Sequence, residues 1–158
     1  SDVCSSDLSQ YNLDKAYLNN AQVVVLPKDK AADYPDVDSL SSLSFAVEAG
    51  SSGEEQVSAL DLTYTPVQSQ ADALMEVAAG TSDAAVIDSL MAAAMIGEGT
   101  GYADLTYTVS LNSEEYGVGF RKGSDLVEEF NNYFDSCVNN GSIRTCAEKY
   151  GVQAALIQ

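Results

Sequence analysis

Short apolar runs alternate with helical patterns along most of the chain. Residues 23–26, Val-Val-Val-Leu, form a β-branched apolar run that Pro27 closes, which is typical of a buried strand. Further strands are predicted at residues 43–49, 62–67, 83–87, 105–109 and 116–120. Helices of roughly ten residues separate several of these strands, which predicts βαβ crossovers and a largely parallel sheet. The predicted fold class is therefore α/β.

Capping residues mark where the helices begin and end. Ser51 or Ser52 caps a helix with Glu54 in its first turn, where an acidic side chain favours the positive end of the helix dipole. Ser69 caps the next helix, and Gly80 ends it. The later helices are predicted over residues 70–79, 90–96, 125–140 and 142–150.

The composition argues against several classes of function. Twenty-four acidic residues against seven basic ones give a net charge of −17, which repels nucleic-acid phosphates and anionic lipid headgroups. Histidine is absent and the three cysteines form no CxxC pair, so neither a metal site nor Ser-His-Asp chemistry is indicated. The glycine-rich loop at 97–101 follows a helix and not a strand, unlike a nucleotide-binding loop. No metal or cofactor is expected.

Residues 1–8, SDVCSSDL, have no hydrophobic period and no targeting pattern. They resemble the translated end of a common sequencing-library adapter. We therefore expect this segment to be non-native and the natural sequence to begin near Ser9. Cys4 then leaves the cysteine count, and the lack of a signal peptide carries no information.

Four stretches in fixed order carry a resemblance to a known family. They are residues 22–25 (QVVV), 38–54 (DSL through VEAGSSGE), 79–88 (AGTSDAAVID) and 115–124 (EYGVGFRKGS). Together they resemble the extracytoplasmic solute-binding proteins of polar amino-acid ABC transporters, of the family 3 type. The ending, NGS at 140–142 through EKYG at 148–151, is similar to that family's closing helical hairpin.

The resemblance implies a periplasmic-binding-protein-like (type II) architecture, in which two crossing strands join two α/β lobes. Residues 9–28 are then a remnant of lobe 1 with the first hinge strand, and residues 29–113 are lobe 2. Residues 114–158 are the return hinge strand and the C-terminal helices of lobe 1. Lobe 2 is expected to be complete. Most of lobe 1, with the arginine and aromatic residues that hold the ligand in this family, is expected to be missing through N-terminal truncation.

A free amino acid carries both a carboxylate and an ammonium, so its receptor needs donors close to an acceptor. Gly50, Ser51 and Ser52 lie where a strand meets a helix, which predicts an anion site. Asp88 ends a strand at the carboxyl edge of the sheet, where its carboxylate is predicted to accept the ammonium. Glu48 is a candidate contact for the ligand side chain. The alternatives are helix caps for the serines and Asp88, and a solvated charge for Glu48.

These observations predict a non-enzymatic protein with no catalytic residue. It is expected to bind an amino acid by two-lobe closure and to deliver it to an ABC transporter permease. The expected location is extracytoplasmic, in the periplasm or at the cell surface as a lipoprotein, and the full-length protein is expected to be a monomer. Two alternatives use the same scaffold: a ligand-sensing domain of a receptor or kinase, and a dehydratase-type enzyme.

Cys137 and Cys146 fall on the two arms of the terminal helical hairpin. We predict a disulfide between them, in keeping with an oxidising extracytoplasmic location. The alternative is two buried free thiols, since free cysteine is among the most frequently buried residues.

Overall fold

The computed structural model describes residues 11–13 and 15–157 of the 158-residue chain. The predicted adapter-derived segment, with Cys4, lies outside the described residues. Two compact units divide the chain. The first, the α/β unit, is Ala21–Ser113, and the second, the terminal unit, comprises the described residues up to Asn20 and those from Glu114 onward. The α/β unit begins at Ala21 and includes the first buried strand. The predicted division into lobes at residues 28 and 29 stays a prediction.

The strands of the described residues are β1 (Tyr11–Leu13), β2 (Leu18–Asn20), β3 (Gln22–Pro27), β4 (Ser44–Glu48), β5 (Thr63–Val67), β6 (Ala84–Asp88), β7 (Leu105–Ser110), β8 (Glu114–Tyr116) and β9 (Gly119–Arg121). The α-helices are α1 (Ser52–Ala59), α2 (Gln70–Ala79), α3 (Ser89–Met95), α4 (Leu126–Asn139) and α5 (Ser142–Tyr150). Short 3-10 helices lie at Ala31–Asp33, Val37–Ser42 and Gln153–Ala155.

The α/β unit is built on a five-stranded sheet of order β5-β4-β6-β3-β7. β4 is parallel to β5 and β6, whereas β3 is antiparallel to both β6 and β7. Four strands therefore run in one direction, but β3 is antiparallel to both of its neighbours, so two of the four strand pairings are antiparallel. The sheet is mixed, and not largely parallel as predicted. Because β3 and β4 run in opposite directions, the chain needs no crossover helix between them, and two 3-10 helices make the connection.

Apolar side chains on both faces of the sheet fix the strands in place. Alternate residues of β3 point to opposite faces, so Val24 joins one apolar cluster with Val57 of α1. Val25 joins the other cluster with Leu74 of α2. All four side chains have no measurable exposure. Burying each such side chain stabilises the folded state by about 1.5–3 kcal/mol. This burial fixes the register of the strands and so the positions of their ends.

The terminal unit has two antiparallel strand pairs, β1 with β9 and β2 with β8, together with α4 and α5. Phe130 of α4 packs against Phe120, with ring centroids 5.5 Å apart. No residue of α4 is fully buried, and Tyr133 is 71% exposed. The described part of this unit therefore leaves much of the apolar surface of α4 uncovered.

The predicted disulfide is not present, because both cysteines of the terminal hairpin are free thiols. The hairpin itself is as predicted, with α4 packed against α5. Cys137 of α4 is half-buried and Cys146 of α5 is exposed. The buried residue of α5 is Ala147, and neighbouring helical residues are rotated by about 100°. Cys146 therefore points away from the surface that α5 buries.

Candidate ligand-binding site

Three parallel strands of the α/β unit end at the same edge of the sheet, and each leads into a helix. β4 pairs with β6 so that Val47 lies beside Val86, and with β5 so that Glu48 lies beside Val67. The start of α1 follows β4, the start of α2 follows β5, and Asp88 closes β6. This carboxyl edge is where open α/β sheets bind ligands. The strand register therefore brings the predicted anion loop and Asp88 to one edge.

The loop between β4 and α1 is held by its own hydrogen bonds. Gly50 has a φ of +73°, a left-handed conformation that glycine adopts without strain. Its backbone N–H donates to the Glu54 Oε2 at 2.6 Å. Ser51 is the N-cap of α1: its Oγ accepts from the Glu54 N–H at 3.2 Å and donates to the Glu48 carbonyl at 2.7 Å. The capping role foreseen for Ser51 is therefore present.

These bonds narrow which loop groups can meet a ligand. A hydroxyl has one hydrogen to donate, and Ser51 gives it to the Glu48 carbonyl. Ser52 and Gly53 form the first turn of α1, where the helix dipole is positive. Ser52 is only 6% exposed. The prediction of an anion site therefore narrows to the first turn of α1.

Two glutamine side chains hold the Asp88 carboxylate. Gln22 Nε2 donates to Oδ1 at 2.7 Å, and Gln70 Nε2 donates to Oδ2 at 2.8 Å. The Asp88 backbone N–H donates in turn to Gln70 Oε1 at 3.0 Å. Asp88 precedes α3, yet its side chain makes no capping bond to that helix. These two amides orient the carboxylate.

Neither glutamine was singled out from the sequence as a site residue. Gln22 begins a buried strand and pairs with Asp88 in the antiparallel ladder of β3 and β6. Gln70 begins α2, directly after its cap. Each position has an ordinary role in its own element, so no local signal distinguishes it. What marks the two residues is burial, at 3% and 9% exposure, which is unusual for glutamine.

Gly53 lies where the backbone of α1 closely approaches the sheet. A Cβ at this position would meet Gln22 Oε1 at 3.1 Å, Val86 Cγ1 at 3.2 Å and the Val86 carbonyl at 3.3 Å. These separations are shorter than ordinary van der Waals contacts between such atoms. The glycine therefore lets the first turn of α1 sit directly beside Gln22.

Glu48 ends β4, and its backbone carbonyl accepts from both the N–H and the hydroxyl of Ser51. It therefore supports the anion loop through its main chain. A contact between its side chain and a ligand stays a prediction.

Asp83 lies at the other end of β6 and has a different environment. Its Oδ2 accepts from the Ser44 hydroxyl at 2.7 Å and from the Ser44 backbone N–H at 3.0 Å. These two bonds hold the pKa of Asp83 below its ordinary value. The carboxylate ties the start of β4 to the start of β6, as expected of a residue that begins a strand.

Other features of the described chain lie away from this edge. A pocket of about 490 Å³ has Pro27, Lys28, Val77 and Asp104 among its lining residues, so it lies at the opposite edge of the sheet. Among the described residues, no group of three or more acidic or cysteine side chains is placed to hold a metal ion. Within the same residues, no helix is long and apolar enough to cross a membrane.

Comparison with solved structures places the fold. A mutant of ArgBP from T. maritima superposes with a TM-score of 0.77 at 25% sequence identity, over 95% of this chain and 66% of the other. The fold is that of the amino-acid-binding proteins. An ancestral amino acid-binding protein, a precursor of cyclohexadienyl dehydratase, gives a TM-score of 0.78 at 22% identity, over 94% of this chain and 65% of the other. The resemblance inferred from the four sequence stretches is confirmed by these neighbours.

A transport protein is among the same neighbours. The amino acid ABC transporter substrate-binding protein AbpA from Streptococcus pneumoniae, bound to L-arginine, gives a TM-score of 0.76 at 14% identity, over 92% of this chain and 63% of the other. The chain thus spans just under two thirds of the length of the structures it matches. No protein-family model and no curated protein sequence matches it.

Proposed function

We propose that the α/β unit binds a free amino acid and that the whole protein delivers it to an ABC transporter permease from an extracytoplasmic location. The observation that carries the proposal is the meeting of the α1 N-terminus and the Asp88 carboxylate at one sheet edge. The helix terminus offers amide donors and positive potential, which suit a carboxylate. Asp88 offers a negatively charged acceptor, which suits an ammonium group.

L-Arginine is the first ligand to test. AbpA was solved with L-arginine bound, and its fold is shared by this chain. The net charge of −17 favours the approach of a cationic ligand, and Glu48 places one more carboxylate beside the anion loop. Other amino acids serve as competitors in the same experiment.

The proposal is tested by removing one charge of the ligand at a time. L-Arginine, its methyl ester and its Nα-acetyl derivative are titrated into the ¹⁵N-labelled chain and followed by NMR. L-Arginine is expected to shift the amide resonances of Ser52, Gly53 and Asp88. Each blocked analogue loses a charge-assisted hydrogen bond, so its affinity is expected to fall at least about tenfold. Equal affinity for all three compounds would contradict a site for zwitterions.

A second lobe is proposed to complete the site in the whole protein, with the ligand contacted from both sides only in a closed state. The chain alone is then expected to bind weakly, with a dissociation constant in the millimolar range. This corresponds to a binding free energy on the order of −4 kcal/mol. Micromolar binding by this chain would show that the α/β unit needs no second lobe.

The proposal is for binding without turnover. After long incubation with the chain, the amino acid is expected to be recovered unchanged by mass spectrometry, whereas conversion would favour the dehydratase-type alternative.

The genetic context separates transport from sensing. A permease gene beside this one supports delivery, while a membrane-spanning segment and a kinase domain in the same reading frame would favour the sensor.

A further inference from the structure

One buried side chain, that of Gln22, connects the two halves of the proposed site. Its Nε2 donates to Asp88 Oδ1 at 2.7 Å. Its Oε1 lies 3.1 Å from the point that a Cβ on Gly53 would occupy. The same amide therefore packs against the helix that carries the anion donors and bonds to the carboxylate proposed to accept the ammonium.

The backbone of Gln22 is fixed on both sides. Its N–H donates to Asn112 Oδ1 at 2.7 Å, and its carbonyl accepts from the Leu111 N–H at 2.8 Å. Its Cα is paired with that of Asp88 in the β3–β6 ladder. With the main chain anchored and the side chain 3% exposed, the amide has little freedom to turn away from Asp88.

We propose that Gln22 is a positioning residue that sets the separation between the first turn of α1 and the Asp88 carboxylate. Its significance for ligand binding rests on the proposed function, whereas its effect on the position of Asp88 is independent of any ligand. Gly53 is the counterpart on α1, since only a residue without a Cβ leaves room for the Gln22 carbonyl. A side chain at position 53 is expected to displace Gln22 and, through it, Asp88.

Two alanine substitutions at glycine separate this effect from general damage. Gly53→Ala introduces a methyl group against Gln22 and Val86, while Gly101→Ala places one where no atom lies within 4 Å. Alanine favours helix more than glycine does, so propensity alone would make Gly53→Ala stabilising. Gly53→Ala is expected to shift the NMR resonances of the Asp88 amide and carboxyl carbon and of the Gln22 side-chain amide. Gly101→Ala is expected to leave them in place.

A substitution at Gln22 tests the same link from the other side. Gln22→Met keeps the length and volume of the side chain but removes the donor, so it is expected to shift the Asp88 resonances in a folded protein. Thermal unfolding of each variant confirms that the comparison is made between folded chains. Unchanged Asp88 resonances in folded Gln22→Met, or in folded Gly53→Ala, would overturn the proposal.

A double-mutant cycle then tests the consequence for binding. Gln22→Ala is expected to weaken L-arginine binding about tenfold or more, because Asp88 loses a charge-assisted hydrogen bond. Adding Gly53→Ala to Gln22→Ala is expected to cost less than about twofold more, since the displaced group is already gone. Full additivity would overturn the proposal and assign the effect of Gly53→Ala to Val86. If the unaltered chain binds no amino acid, the proposed function fails, while the Asp88 resonances still decide the role of Gln22.

Discussion

The two ends of β6 carry an aspartate each, and the two carboxylates are held in different ways. Asp83, before the strand, accepts two bonds from one residue, Ser44, through its hydroxyl and backbone N–H. Asp88, at the end of the strand, is held by the side-chain amides of Gln22 and Gln70, which are 66 and 18 residues distant in sequence. Asp83 is tied to a single residue of a neighbouring strand, 39 residues earlier in sequence, whereas Asp88 is held by two separate elements.

We interpret the difference as one between a structural carboxylate and a carboxylate proposed to meet a ligand. Asp83 bonds to Ser44 on the neighbouring strand β4, which the sheet already holds in place. No side chain from outside the sheet is needed to hold this carboxylate. Asp88 requires two glutamine side chains to be buried, and ordering each such side chain costs about 1.5–2 kcal/mol of conformational entropy. Networks of this kind fix the direction of a functional group before its ligand arrives. The two ends of β6 should therefore respond differently to the same substitution.

The largest expected difference is in ligand binding. Asp88→Ala is expected to abolish measurable amino-acid binding in a full-length protein, because truncating one partner of a desolvated charge pair costs about 2–5 kcal/mol. Asp83→Ala is the matched control at the other end of the same strand. The affinity of Asp83→Ala is expected to stay within about twofold of that of the unaltered protein, because a substitution distant from the site is rarely coupled to it. Calorimetry on both variants measures this.

Circular dichroism completes that comparison by showing that both variants keep their secondary structure. Unchanged affinity in folded Asp88→Ala would remove this residue from the site. Equal losses in the two variants would show that the binding defect follows from damage to β6 and not from the lost carboxylate.

The second prediction concerns the stability that Gln70 supplies. Gln70→Leu removes the donor to Asp88 Oδ2 and the acceptor of the Asp88 N–H, so the free energy of unfolding is expected to fall by about 1–3 kcal/mol. Urea unfolding measures the change. Gln68→Leu is the control, because that side chain is exposed and surface substitutions usually change stability by less than about 0.5 kcal/mol. Equal effects at both positions would mean that the Gln70 amide contributes no more to stability than an exposed glutamine does.

The sequence predicted the local features of this edge well. α2 begins and ends where its capping residues predict, at Gln70 and Ala79, and Ser51 caps α1. The short buried strand predicted at residues 83–87 is observed at Ala84–Asp88. Each of these depends on residues within a few positions of one another, and such short-range patterns are visible in a single chain.

Features that depend on distant contacts were not predicted. The bonds from Gln22 and Gln70 to Asp88 follow from strand order and register, which no local pattern specifies. The prediction of a disulfide was wrong for a related reason. Placing Cys137 and Cys146 on paired helices was correct, but their rotation about the helix axes depends on how the pair packs. The division into lobes stays a prediction, as do the ligand contacts of Gly50, Ser51, Ser52, Glu48 and Asp88.

A smaller effect is expected at the other end of β6. Ser44→Ala removes the hydroxyl that donates to the Asp83 carboxylate and leaves the Ser44 backbone N–H donor in place. The hydroxyl also accepts from the Asp83 N–H at 3.3 Å, but that N–H keeps its shorter bond to the Ser44 carbonyl at 2.9 Å. The free energy of unfolding is expected to fall by about 0.5–1.5 kcal/mol, the usual contribution of one hydrogen bond, with amino-acid affinity unchanged. Ser41→Ala, at an exposed position three residues earlier, is the control for urea unfolding. A loss of affinity in Ser44→Ala would break the contrast between the two ends of the strand.

The smallest expected effect is a pH dependence confined to acid. The bonds from the Ser44 hydroxyl and N–H hold the pKa of Asp83 below its ordinary value of 3.8, so its ionised form is favoured in the folded state. The stability it contributes is fully present above the unfolded pKa and is lost as the pH falls through the lower, folded pKa. The difference in unfolding free energy between the unaltered chain and Asp83→Asn is therefore expected to be constant from about pH 7 to pH 5 and to shrink below about pH 4. Urea unfolding at stepped pH measures it, and a difference that stays constant into strong acid would show that the Asp83 charge does not stabilise the junction of β4 and β6.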